Sequence, residues 1–210
     1  MSVSPFQIND IIDSPLKVAI LRVLVSRKGF KATGREIAKL TGFSVPSTHD
    51  SLKSLHDRNI LQLEIIGKQH IYSLNEEDRI VLKIIRPMFE AESGVKDEIQ
   101  HFLLTEIKNA GIKKEIVSLI LYGSVAKGSA RKNSDIDVAV VVDKSARVDR
   151  IADIFISAVM PKFKTYFGAH LDLYVKSTVE FRERLKKDLP PVSTLIRNYS
   201  VLYGKEPLEI

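Results

Sequence analysis

Between Leu119 and Val142 the chain reads LILYGSVAKGSARKNSDIDVAVVV, two apolar runs held apart by a polar stretch. The runs have the length and β-branched content of buried strands, Val117 to Tyr122 and Ile136 to Val142. Gly123-Ser124 then lies at the end of one strand and Asp135 at the start of the next. Side chains alternate along a strand, so Asp135 and Asp137 project from one face and Ile136 from the other. Two carboxylates held side by side repel each other unless a cation lies between them. A glycine lets backbone approach an anion closely, and a short helix starting near Ser124 aims free amides and a hydroxyl at it. Either fragment alone is an ordinary turn or strand start; the two together bring phosphate and metal to one place.

At 210 residues, with 44% hydrophobic and 28% charged content, the chain has the make-up of a folded soluble protein, one large domain or two small ones. No stretch approaches the roughly 18 apolar residues of a membrane span. The start, MSVSPFQIND, has neither the basic end nor the apolar core of a secretory signal. The expectation is a cytoplasmic protein without a membrane partner. The absence of cysteine removes disulfides, thiolate metal sites and a cysteine nucleophile. Any metal must rest on carboxylates, histidines and carbonyls, which favours hard ions such as Mg²⁺ or Mn²⁺. Ser124 has no histidine and acid placed by motif to activate it as a hydrolase nucleophile.

The first 80 residues read differently. Ser14-Pro15 is a helix start, with Leu16, Ala19, Ile20, Val23 and Leu24 following at helical spacing. Thr33-Gly34-Arg35-Glu36 fits a capping box; Ile37, Ala38 and Leu40 form the apolar side of the short helix it opens, and Gly42 ends it. A third helix begins after Ser44 with Leu52 and Leu55 inward. Ile60 to Ile66 and His70 to Leu74 then read as a hairpin turning at Gly67-Lys68-Gln69. This order of elements resembles a winged helix-turn-helix like those of the MarR and ArsR-like repressors. The resemblance implies that the third helix enters the major groove of duplex DNA and that the hairpin tip reaches the flanking backbone. Ser47, Thr48, His49, Lys53 and Lys68 are the candidate DNA contacts. Ten Lys/Arg against six Asp/Glu over residues 1 to 75, in a chain of net charge +6, suit a polyanion. Winged helices also dock proteins, and solvent exposure accounts equally for the small polar residues.

Residues Glu76 to Glu92 read as a further helix that Pro87 bends or breaks, and Ser93-Gly94 interrupts the pattern. The division expected is a winged-helix domain over 1–80, a helical linker over 81–94 that serves dimerisation or interdomain packing, and a second domain over 95–210. That domain opens with a helix from Val95 to Asn109 that turns Ile99, Phe102, Leu103 and Ile107 inward.

Gly-Ser, ten residues, then Asp-x-Asp is the hallmark of the polymerase-beta nucleotidyltransferase superfamily, and residues 95–210 resemble its minimal branch. That family takes a third carboxylate from a later strand; HLDLYV supplies Asp172, and SVLYGKEPLE resembles the closing segment. The fold class expected is thus α+β in two domains: a winged helix-turn-helix, then a mixed sheet flanked by helices. By resemblance, Gly123 and Ser124 bind the phosphates of ATP or another nucleoside triphosphate. Asp135, Asp137 and Asp172 hold a pair of Mg²⁺ ions and carry the catalysis. Lys127 and Arg131 suit triphosphate charge, or are plain exposed cations. The resemblance implies transfer of a nucleoside monophosphate to a hydroxyl of a protein or small-molecule acceptor. Minimal nucleotidyltransferases often act as antitoxins that adenylylate a toxin partner. A regulator that only senses nucleotide is the alternative.

Overall fold

The computed structural model describes residues 8–128 and 134–210, and the chain divides into two compact units between Gly94 and Val95. In the first unit, α1 (Pro15–Val25) starts where Ser14 accepts a hydrogen bond from the Lys17 amide, and α2 (Gly34–Thr41) follows the two-residue strand β1 (Ala32–Thr33). The capping box is present: Thr33 Oγ1 accepts from the Glu36 amide while the Glu36 carboxylate accepts from the Thr33 amide. These bonds satisfy donors that a helix start leaves without partners. Gly42, at φ 76°, ends α2 in the left-handed conformation, and α3 (Val45–Asp57) is capped by Ser44.

Strands β2 (Leu61–Ile66) and β3 (Gln69–Leu74) form the hairpin, its two-residue loop opened by Gly67 at φ 62°. A glycine at the first loop position matches the twist of the flanking strands. Among the described residues the sheet order is β1-β3-β2, all antiparallel. Helix, short helix, turn, helix and hairpin around one core make this unit a winged helix-turn-helix. Its core includes Ile20, Leu21, Ile37, Leu52, Leu55 and Tyr72.

Two expectations are corrected here. Leu40 is 58% exposed and does not pack inside. Pro87 does not break the helix: a π-helical turn over Val81–Ile85 runs into α4 (Arg86–Ser93). The Arg86 amide donates to Val81 O, five residues back, just before the proline whose missing N–H would interrupt an α-helix. Val81, Ile85 and Phe89, from the segment read as a connection, lie in the first unit's core, and Arg22 pairs with Glu92.

The second unit opens with α5 (Val95–Asn109), which buries Ile99, Leu103 and Ile107. Then come β4 (Ile116–Tyr122), the one-turn helix α6 (Gly123–Ala126), β5 (Ile136–Val142) and α7 (Val148–Ile154). After α7 a second π-helical turn, Phe155–Val159, leads into α8 (Met160–Phe167). The rest is β6 (Leu171–Ser177), α9 (Thr178–Lys186), α10 (Val192–Leu195) and β7 (Tyr199–Gly204). Among the described residues the sheet order is β6-β5-β4-β7, parallel between β5 and β6 and antiparallel elsewhere. This is the mixed sheet flanked by helices. One face carries Leu119, Leu121, Val138, Val140 and Leu171 against Leu103, Phe155 and Phe163; the other carries Ile120, Tyr122, Ala139 and Val141 against Phe181, Val192 and Leu195. No helix among the described residues is long and apolar enough to cross a membrane.

Gly204 closes the sheet edge. It sits at φ 87°, paired with Ser118, and a Cβ there would fall 2.0 Å from the Val117 carbonyl oxygen. Because that neighbour is backbone, it cannot swing aside. Gly168, also left-handed at φ 66°, has open space around it. Gly204→Ala should therefore destabilise the second unit by at least about 2 kcal/mol, whereas Gly168→Ala should cost about 1 kcal/mol, the backbone strain alone. Urea unfolding followed by tyrosine fluorescence measures this, since Tyr72 is the sole tyrosine of the first unit and the chain has no tryptophan. Equal midpoints for the two variants would contradict it.

Candidate active site

The acids gather because four strand ends meet. β4 ends at Tyr122 where β5, β6 and β7 begin, since β4 runs against β5 and β7 and β6 runs along β5. The register sets Asp137 beside Asp172 on one side and beside Tyr122 on the other. Asp135 lies two residues before Asp137, just ahead of the strand. Asp137 and Asp172 occupy the same face as Tyr122, Ala139 and Tyr174, as strand alternation requires.

The electrostatics follow from that crowding. Burial pushes the Asp137 carboxyl above its ordinary range, and the charges of Asp172 and Asp135 push it further. The Tyr122 phenol is raised to about 12, first by burial and then by Asp137, Asp172 and Tyr174. Burial also raises Tyr174, whose hydroxyl is buried with no hydrogen-bond partner among the described residues. The tyrosine layer beneath the acids thus stays neutral and offers no charge to relieve them. Sequence reading passed over both tyrosines because they look like ordinary strand aromatics.

Gly123, directly after Tyr122, has φ 71°, and a Cβ on it would lie 1.9 Å from Asp137 Oδ2. The glycine is needed twice, for its left-handed backbone and for the space its missing side chain leaves to the carboxylate. Ser124 lies in the first turn of α6, and Lys127 is exposed at its C-terminal cap, its amide donating to Gly123 O. Lys96 Nζ donates to Ala126 O at 2.7 Å, tying the end of α6 to α5. Arg131 lies outside the described residues.

Among the described residues no three Asp, Glu, His or Cys side chains already enclose a point where a metal would sit. The donor chemistry of Asp135, Asp137 and Asp172 nonetheless fits a hard divalent cation. They are oxygen ligands on one sheet end, and their mutual repulsion is what such a cation removes.

In the first unit, the start of α3 and the hairpin flank a cleft of about 410 Å³ lined by Arg35, His49, Lys68, His70 and the rim of α2. Ser47, His49, Lys53 and Lys68 are exposed. Thr48 is the exception among the candidate DNA contacts: it is 0% exposed, and its hydroxyl donates to Ser44 O at 2.8 Å. Its position on α3 turns it into the core with Leu52 and Leu55, so it cannot meet a base edge. Arg35, read only as part of the capping box, and His70 join the cleft instead, because the fold folds the hairpin back toward the α2 start.

The chain matches the family model described as polymerase beta, nucleotidyltransferase over residues 105–167. That span includes Gly123, Ser124, Asp135 and Asp137 and stops short of Asp172. No curated protein matches the chain. Among solved structures, a predicted DNA-binding transcriptional regulator from E. coli is similar at 16% identity and TM-score 0.35, over 42% of this chain and 84% of that one. The homodimeric winged helix-turn-helix domain of a possible ArsR-family regulator from Mycobacterium bovis is similar at 19% identity and TM-score 0.34, over 45% and 80%. A toxin-antitoxin structure with AMP-PNP is similar at 17% identity and TM-score 0.34, over 51% and 74%. The Gly-Ser turn and the Asp-Ile-Asp strand both fall within the matched segment, and the chain carries a nucleotidyltransferase domain of the polymerase-beta type.

Proposed function

We propose that this protein uses Asp135, Asp137 and Asp172 to transfer a nucleoside monophosphate from ATP to a hydroxyl of a protein or small-molecule acceptor, while its winged helix binds duplex DNA. The observation that carries the reading is the placement of Asp137: half-buried, next to Asp172 in register, and against a glycine that leaves it room. Buried repulsion of this kind destabilises a fold and persists where a ligand relieves it.

Asp135 and Asp137 would hold a pair of Mg²⁺ ions, and Asp172 the one nearer the acceptor. When bound, such ions supply charge neutralisation at the triphosphate and a lowered pKa at the acceptor oxygen. The chain's own groups do the remainder. The Gly123 turn brings backbone close to the phosphates, and the Ser124 hydroxyl can donate to a phosphate oxygen. Lys127 adds positive charge at the rim. Asp172, exposed at the start of β6, is placed to take the proton of the acceptor hydroxyl. The neutral tyrosines Tyr122 and Tyr174 wall the acids from below. A toxin acceptor and an antitoxin role are what the minimal branch of the family suggests. In the winged helix, Ser47, His49, Lys53 and Lys68, joined by Arg35, would face the DNA.

Asp137→Asn should lower Mg²⁺-dependent transfer at least ~100-fold, the loss expected from removing a positioned charge at the reacting centre. The same variant should melt at a higher temperature than wild type at pH 7 without divalent ions. A carboxyl whose folded pKa is raised binds its proton more tightly when folded. Its contribution is therefore favourable below the ordinary value of 3.8 and is lost as pH rises through the raised value. The stability gap should close near pH 4. Transfer assays with labelled nucleoside triphosphates, paired with melting curves over pH, decide it; wild-type turnover in the variant would remove Asp137 from the site.

The winged helix yields a separate expectation. Full-length protein should bind duplex DNA of its own upstream region with an affinity that falls steeply with salt, as counterions released by Lys53, Lys68 and Arg35 require. Lys68→Ala should reduce the slope of log K against log salt by about 1. Gel-shift titrations at several salt concentrations measure both, and no binding at low salt would favour protein docking by this unit.

A further inference from the structure

We propose that Arg197 is a phosphate-binding residue of the nucleotide site, holding the β and γ phosphates on the side of the Gly-Ser turn away from the acids. The inference rests on the nucleotidyltransferase reading above and adds a residue from an element that the family match does not reach, since that match ends at residue 167.

Placement carries the argument. The sheet order β6-β5-β4-β7 sets β7 on one side of β4 and the acid-bearing strands β5 and β6 on the other. Tyr199, the first residue of β7, is paired with Tyr122, the last residue of β4. Extending this antiparallel register by two residues carries β4 into Gly123-Ser124 and β7 back to Asn198-Arg197, so Arg197 comes opposite Ser124. Neighbouring strands lie about 4.8 Å apart, well within the reach of an arginine side chain. α6 packs against β7, which keeps the two segments together beyond the last ladder pair.

The backbone of this turn is fixed. Val192 and Leu195 of α10 are fully buried, the Arg197 amide donates to Thr194 O at 3.3 Å, and the Asn198 amide donates to Leu195 O at 3.1 Å. The side chain is exposed and makes no ion pair or hydrogen bond among the described residues, unlike Arg147, Arg150, Arg182 and Arg184 in the same unit. Charge at this end of the sheet is otherwise set by three carboxylates. A triphosphate entering there needs cations on the side that the acids do not serve, and a guanidinium presents a fork that fits phosphate oxygens.

The test is calorimetric binding to the full-length protein of α,β-methylene ATP with Mg²⁺ and, separately, of AMP. Arg197→Met should weaken the triphosphate analogue about 10-fold or more and leave AMP unchanged, and Arg197→Lys should restore most of the loss. That size corresponds to losing a charge-assisted hydrogen bond. Melting curves establish that both variants are folded. Equal triphosphate affinity in Arg197→Met and wild type overturns the assignment while leaving the nucleotide site standing; so does an equal loss for AMP, which would mark a structural role. Wild-type protein that binds neither nucleotide overturns the assignment together with the function on which it rests.

Discussion

The carboxylate of Asp137 and the missing side chain of Gly123 occupy one small volume, and much of the second unit is arranged around that fact. Strand β5 is central, with β4 antiparallel on one side and β6 parallel on the other. Only this mixed pairing places the end of β4 and the starts of β5 and β6 at a single edge. The apolar faces above and below supply the burial that holds the strands in register, since a slip of one residue would send Asp137 into the Phe155 and Phe163 layer. Repulsion at the edge is thus maintained by hydrophobic packing elsewhere in the same sheet.

Much of this was legible beforehand, and the reasons are local. Capping chemistry at Ser14, Thr33 and Ser44 depends on a few adjacent residues, so the starts of α1, α2 and α3 could be placed from sequence. Strand β5 and helix α5 have unambiguous periodicity, and their limits match the structure. Gly-Ser and Asp-Ile-Asp stood out because their spacing is itself the signal. Residues whose roles depend on distant partners stayed hidden. β1 is two residues long and exists because β3 pairs with it. Leu40 continues the apolar pattern of α2 but meets solvent, and Thr48 looks like a surface threonine until α3 is seen to turn it inward. Tyr122 and Tyr174 gain their meaning only from the register between strands.

The first unit shows the same division of labour between local and distant terms. Lys17 is buried on α1, where its ammonium reaches Asp13 at 2.9 Å and Asp10 O at 2.8 Å. The i, i+4 spacing to Asp13 is readable, whereas its burial is not. Arg22 donates two hydrogen bonds to Glu92, seventy residues later, and lies over the Phe89 ring. Each of these pairs is exposed or half-exposed and contributes modestly to stability. Their effect is to orient α4 against α1, while the burial of Ile85 and Phe89 supplies the adhesion.

The π-helical turns at Val81–Ile85 and Phe155–Val159 mark where each helix accommodates one more residue than α-helical winding would take. Losing a single residue there would rewind the turn and rotate everything beyond it by about 100°. Phe89 in one helix and Phe163 in the other, both now in a core, would swing toward solvent. Natural length variation in relatives of this chain should therefore spare these two turns and accumulate in the connections. Where a relative does lack one residue at either turn, the proline just beyond it should be missing as well.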